Sequence, residues 1–197
     1  MTAPRHALRS ELDAAAGVLT DAFANDPWFN WLYPSVEQWP SDPNAWFALV
    51  LGRAFAKGHT FVTDSGATNW IPPDVHFPEG DDIDLAVGLL QSQIGERAGA
   101  ALGVIGQGGT AFPDTPRFHC VYVGVSKSAQ GRGIGGALMA RVLDICDRDG
   151  FPASLTSTND VNLPWYRSLG FNEIGEVAVP GADFKLRPMW RDPRTLG

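Results

Sequence analysis

The segment Gln130-Gly131-Arg132-Gly133-Ile134-Gly135-Gly136 constrains the fold more than any other stretch of this chain. Before it runs Phe118–Val125, eight residues of strand-forming character. After it comes Ile134–Asp149, where Leu138, Val142 and Ile145 recur at helical spacing and Gly150 provides a stop. Glycines at a helix start sacrifice helix propensity, so they need a reason other than helix stability. The first N–H groups of a helix have no intrahelical acceptor and lie at the positive end of its dipole. Glycine lets a phosphate come within hydrogen-bond reach of them. The strand–loop–helix unit therefore reads as a diphosphate site, against the alternative of a flexible glycine-rich turn.

Residues 131–136 also satisfy G-x-G-x-x-G, the dinucleotide-binding pattern. Three features count against that reading. Residues Ser126–Gln130 separate the glycines from their strand, the next strand, Ser154–Thr158, ends without the acidic residue a ribose requires, and too little chain remains for a doubly wound sheet.

With 197 residues the chain has room for one domain, residues 1–197, and a sizeable core. Leu12, Ala15, Ala16, Leu19 and Phe23 predict a helix over Ser10–Phe23, with Ser10 as its cap. Trp28–Tyr33 reads as a short aromatic segment, Asn44–Lys57 as a helix, and Thr60–Thr63 with Thr68–Ile71 as a hairpin around Asp64-Ser65-Gly66. Ile83–Ile105 is mixed helical sequence. Beyond the glycine loop, Ser154–Thr158 predicts a strand, Asp160–Leu169 a short helix capped by Asp160, and Asn172–Val179 and Phe184–Met189 two closing strands. The sum is one α+β domain.

Twenty-two Asp and Glu against fifteen Lys and Arg give a net charge of −7, which disfavours nucleic acid and anionic membrane and attracts a cationic small molecule. The two cysteines, Cys120 and Cys146, sit in apolar stretches without metal-type spacing, as buried thiols of a reducing compartment do. No metal site is expected. Arg5 and Arg9 are followed at once by Glu11 and Asp13, and the longest apolar stretches are broken by Gly52 and Arg53, so a cytoplasmic protein without secretory signal or membrane span is expected.

Val123-Gly124-Val125 followed by Gln130-x-x-Gly133-x-Gly135 resembles motif A of the GNAT acyl-CoA N-acetyltransferases. Asn162-x-x-x-Tyr166-x-x-x-Gly170-Phe171 resembles the motif B that follows it. The likeness is dense from Phe118 to Met189. It extends towards the puromycin N-acetyltransferase-like branch through the Phe23–Pro27 turn, the Trp70 hairpin and Asn162–Tyr166. It implies a splayed mixed central sheet flanked by helices, with acetyl-CoA wedged between the strands on either side of the glycine-loop helix. By the same likeness Val123, Gly124 and Val125 would contact the pantetheine, and Gln130, Gly131, Arg132, Gly133, Ile134, Gly135 and Gly136 the pyrophosphate. Asn162 would be a further cofactor contact and Tyr166 the general acid. The branch tends to carry a glutamate in the strand where this chain has Leu155-Thr156-Ser157-Thr158, and Thr156 can neither act as a base nor hold a cation by charge.

Direct acetyl transfer needs a neutral amine, donors for the developing oxyanion and an acid for the departing thiolate. Asn162 and Tyr166, four apart, share one helix face, against the alternative of Tyr166 as a core aromatic. His119 precedes Val123 by four residues and, by strict alternation, shares a strand face with Val121, Val123 and Val125. It is the candidate base, against a histidine packed in the sheet and proton transfer through water. His76 and Asp26 are weaker candidates, and His6 and His59 read as structural. Trp165 reads as packing only. Trp28, Phe29, Trp31, Tyr33, Trp39 and Trp46 crowd the region that lines the acceptor side in this fold, most of them as core and one or two as ligand contacts. The expected activity is acetyl transfer to the primary amine of a small molecule by a monomer or homodimer. A non-catalytic acyl-CoA-binding module and a protein lysine or N-terminal acetyltransferase are the alternatives.

Overall fold

The chain was analysed as a computed structural model that describes residues 3–34 and 40–194. Its strands are β1 (Arg5–His6), β2 (His59–Val62), β3 (Gly66–Ile71), β4 (Phe118–Val125), β5 (Ala153–Ser157), β6 (Asn172–Glu173), β7 (Val177–Ala178) and β8 (Lys185–Arg191). They pair in the order β1-β2-β3-β4-β5-β8-β6, with β7 also against β8. Every pairing is antiparallel except β4 with β5.

That parallel pairing is short. It joins Phe118 to Ala153, His119 to Ser154 and Cys120 to Leu155, then stops, although β4 stays on β3 as far as Val125 and β5 on β8 as far as Ser157. The two strands part at this point, as the expected splayed sheet requires. The cause lies on the other edge of β4. Asn69 opposes Tyr122 while Trp70 opposes Cys120, so Val121 is an extra residue, a β-bulge that bends the strand.

The bulge also corrects the face assignment made by alternation. Phe118, Cys120, Val123 and Val125 pack into one core while Tyr122 joins the other, so His119 lies on the side of Tyr122, not of Val123 and Val125.

The helices are α1 (Leu12–Phe23), α2 (Pro27–Leu32), α3 (Ala45–Ala54), α4 (Asp81–Ile94), α5 (Ala98–Thr110), α6 (Ile134–Asp149) and α7 (Leu163–Ser168). One core gathers Leu19, Phe29, Phe47, Leu51 and Val104 from α1, α2, α3 and α5. Across the sheet a second gathers Leu138, Met139 and Val142 of α6 with Tyr166, Phe171 and Met189. Both cysteines are free and buried. No helix among the described residues is long and apolar enough to cross a membrane.

Several boundaries differ from expectation for local reasons. Ser10 is not a cap: it lies within a 3-10 turn, Arg9–Glu11, where Glu11 accepts from the Leu8 N–H at 2.8 Å and from Arg5. The aromatic segment at Trp28 is helix α2, begun by Pro27 in its first turn and by Asp26, which accepts from the Trp28 N–H. Gly95, at φ +56°, ends α4, so the mixed stretch is two helices. The cap before α7 is made by Asn159, whose side chain accepts from Val161 N–H; Asp160 instead pairs with Arg187.

Candidate active site

The parting of β4 and β5 opens into a cleft of about 1920 Å³. Its lining comes from both sides of the sheet: the free run of β4, the glycine loop and start of α6, the end of β5, α7, and an outer arm between α3, α4 and α5.

The loop that leads into α6 is pinned by the Lys127 N–H, which donates to Asp21 at 2.7 Å, and by Gln130, whose side-chain amide donates to the Val125 carbonyl at 3.1 Å. Gly131 and Gly133 then take φ of +76° and +78°, a left-handed conformation costly for any residue with a Cβ. Gly133 is the N-cap of α6 and has no side chain to cap it. The Ala137 N–H bonds the Gly133 carbonyl at 3.0 Å, so the N–H groups of Ile134, Gly135 and Gly136 precede the first helical bond. All three residues line the cleft. A Cβ on Gly131 or Gly136 would meet nothing within 4 Å, so the space beside these two glycines is open. Donors in a row at the positive end of a 16-residue helix, with that open space beside them, fit a diphosphate.

Three residues differ from expectation in what they do. Arg132 does not line the cleft; its guanidinium donates to the Ser128 carbonyl at 3.1 Å, closing the loop on itself. Gly124 lines the cleft, but its lack of a side chain is dictated by α1: an added Cβ would stand 2.8 Å from Leu19 Cδ2 and 2.9 Å from Ala22 Cβ. Trp165, expected only to pack, lines the cleft, and its ring lies 3.2 Å from where a Cβ of Gly135 would be. That glycine therefore admits the ring to the helix start.

Tyr166 and Asn162, four apart on one helix face, both line the cleft, as the resemblance implies. The Tyr166 side chain is buried, against Trp165 and Phe171. Its hydroxyl has no hydrogen-bond partner among the described residues yet is not sealed from solvent, so the phenol tip opens on the cleft. Burial, reinforced by Cys120 and Asp26, raises its pKa, which keeps it a protonated donor.

His119 also lines the cleft. Its Nδ1 lies 2.9 Å from Ser154 Oγ, the same hydroxyl that accepts from Arg117 Nε at 3.0 Å, and its ring meets Phe112 edge-on. Burial first, then the Arg117 cation, push its pKa down to about 4, so the imidazole is neutral at physiological pH.

Asp26 is buried and lines the cleft. Oδ1 accepts from the Trp28 N–H at 2.9 Å and Oδ2 from the Thr158 hydroxyl at 2.6 Å. Burial raises its pKa, partly offset by those bonds. The sequence marks it as a helix break at Asn25-Asp26-Pro27 and as a weaker base candidate; its role as the cap of α2 comes from the structure.

Of the crowded aromatics, Trp28, Phe29 and Trp46 reach the cleft. Trp31 stacks on Trp28 and donates to the Pro180 carbonyl, and Tyr33 bonds Gln93. Trp39 lies outside the described residues. Trp46 Nε1 donates to the Tyr122 hydroxyl at 2.6 Å, a contact with no sequence signal because it spans 76 residues. His76 lines the outer arm, while His6 and His59 sit with Phe61 away from the cleft, in keeping with a structural role.

Comparison with known proteins places these features in context. The family model "Acetyltransferase (GNAT) family" matches residues 69–171, from β3 through α7. An uncharacterized N-acetyltransferase of Schizosaccharomyces pombe is 40% identical over 84 residues, 42% of this chain but only 34% of the yeast protein. The N-alpha-acetyltransferase RimI of Mycobacterium tuberculosis is 34% identical over 108 residues, 51% of this chain and 67% of its own. Among solved structures, a histone acetyltransferase HPA2-related acetyltransferase from Corynebacterium glutamicum superposes with a TM-score of 0.72 at 24% identity, covering 98% of this chain and 97% of the other. These similarities are at the level of the superfamily.

Proposed function

Because this chain belongs to the GNAT acetyltransferase family, we propose that it moves an acetyl group from acetyl-CoA to the primary amine of a small molecule by direct attack, with Tyr166 as general acid. The observation that carries the reading is that one cleft joins the open β4 edge, the uncapped start of α6 and the unpartnered Tyr166 hydroxyl.

In this reading the N–H groups of Ile134, Gly135 and Gly136, with the backbone of Gln130, Gly131 and Gly133, hold the pyrophosphate. The backbone of Val123 and Val125, and of Gly124 between them, bonds the pantetheine along the edge that β5 leaves free. Arg132 contributes positive potential at the loop rather than a direct contact. Asn162 completes the cofactor contacts from the start of α7. Bound acetyl-CoA supplies the acyl thioester. Tyr166 donates its hydroxyl proton to the thiolate as the C–S bond breaks. His119, neutral and with Nε2 unused by Ser154, receives the proton that the amine nitrogen loses.

A second reading, acetylation of a protein amine, is favoured by the names of two relatives, an N-alpha-acetyltransferase and a histone acetyltransferase HPA2-related protein. Coenzyme A release, followed with a thiol reagent over small amines and N-terminal peptides, separates the two. Small amines should turn over with the higher kcat/KM, and peptides outperforming them would establish the second. Tyr166→Phe should lower kcat by about 10²-fold or more with acetyl-CoA binding unchanged, since a positioned acid contributes about that much. Unaltered turnover in that variant would remove Tyr166 from the acid role.

A further inference from the structure

Among the described residues Asp26, Asp82 and Asp147 carry carboxylates that are buried or nearly so, and two of them are neutralised within the protein. Asp82 receives Arg53 and Lys57, and Asp147 receives Arg191. Asp26 forms no ion pair; its partners are the Trp28 and Phe29 backbone N–H groups and the Thr158 hydroxyl, all uncharged. A carboxylate in apolar surroundings is costly unless a cation meets it, and three uncharged donors leave the Asp26 carboxylate with acceptor capacity to spare. The ionisable groups facing it, Tyr122 from β4 and Tyr166 from α7, are neutral phenols and supply no charge. Asp26 opens on the cleft, so the missing cation can come from there.

The arm of the cleft beyond Asp26 sets what that cation carries. Trp46, Val50, Phe77, Val87, Leu102 and Ile105 line it, and its acidic Asp82 is already paired with Arg53 and Lys57. A second ammonium group on the ligand would thus have to be desolvated against these apolar walls; the other carboxylate on the cleft, Asp114, is exposed and acts on the Arg117 cation. Exposed Ile83 and Ile105 at the rim continue the apolar surface outward.

We propose that Asp26 is the docking point for the ammonium group of a primary monoamine whose apolar alkyl or aryl body lies along the arm between α3, α4 and α5. The inference rests on the acetyltransferase reading and narrows its acceptor; the docked ammonium gives up one proton to solvent before the neutral nitrogen attacks, and its second proton goes to His119. Thr158 is a positioning residue, holding the second carboxylate oxygen across from β5.

The test is binding, followed by the fluorescence of Trp28 and Trp46, of 2-phenylethylamine, of the isosteric 2-phenylethanol and of 1,4-diaminobutane. The whole chain should bind the monoamine at least tenfold more tightly than either of the others. Asp26→Asn keeps an acceptor for the Trp28 N–H and should bind amine and alcohol alike, while Thr158→Val should weaken the amine severalfold and leave the alcohol unchanged. Retained amine-over-alcohol preference in Asp26→Asn, or tighter binding of the diamine, overturns the proposal. Should Asp26→Asn fail to fold, the Thr158→Val comparison decides alone, with an unchanged amine preference counting against the proposal. Discriminating binding with no coenzyme A release would keep the docking point and overturn acetyl transfer, so the two failures are distinguishable.

Discussion

At His119 the fold holds an imidazole neutral where free histidine would begin to charge. Its pKa is pushed down to about 4 by burial and Arg117, against an ordinary 6.5. Between those values the unfolded chain binds a proton that the folded one does not, so stability falls as pH drops through that window and is recovered above it. The sign is opposite for Asp26, whose raised pKa makes it take up protons sooner in the folded state. Acid unfolding of wild type therefore has to be compared with that of His119→Gln. Wild type should lose up to roughly 3 kcal/mol more than the variant between pH 7 and pH 4. Parallel stability curves would mean that the imidazole is not held as described. For catalysis the same displacement means that a base at His119 is fully available throughout the neutral range, so kcat/KM should show no histidine limb between pH 6 and pH 7.

At the scale of elements, the glycines divide by what surrounds them. Gly124→Ala would drive a Cβ into Leu19 and Ala22 and should destabilise the protein by about 1–3 kcal/mol, seen as a lower Tm. Gly136→Ala meets no neighbour within 4 Å and adds helix propensity, so it should keep or raise Tm by up to about 1 kcal/mol equivalent while weakening coenzyme A binding. The opposite pattern would exchange their roles. This unit is legible in the sequence because β4 and α6 each carry a long periodic signal, and the expected bounds, Phe118–Val125 and Ile134–Asp149, are those of the structure. The bulge at Val121 was not legible, since apolar residues stand on both faces of β4 and alternation leaves no mark of the slip. The six residues of α2 are too few to display a period, and β6 and β7, two residues each, are fixed by β8 rather than by their own pattern. Asn162 and Tyr166 are legible through the resemblance to motif B, with their spacing putting them on one helix face; the pairing of Asp26 with Thr158 spans 132 residues and only folding brings it together.

On the scale of the whole molecule, the sheet is two antiparallel halves, β1–β4 and β5–β8, joined along β4 and β5 by three residue pairs. The α1–α3 core and the α6 core lie on opposite sides of it and share little but the strands between them. Beyond Cys120 the inner edges of both halves are backbone without a strand partner, and such edges are satisfied by solvent or by a ligand. A ligand seated along β4 and on the start of α6 thus does for the sheet what a further run of β4–β5 pairing would do. It should stabilise the native state by about 2.7 kcal/mol at a concentration of 100 times its Kd. Coenzyme A should also slow amide hydrogen exchange locally, within Val121–Val125 and at Ile134, Gly135 and Gly136, while the β2–β3 hairpin, already paired on both sides, exchanges as before. Protection spread evenly over the chain would mean that the ligand acts only through global stability. Protection confined to α3–α5 would place it in the outer arm, and the wedge would then need another occupant.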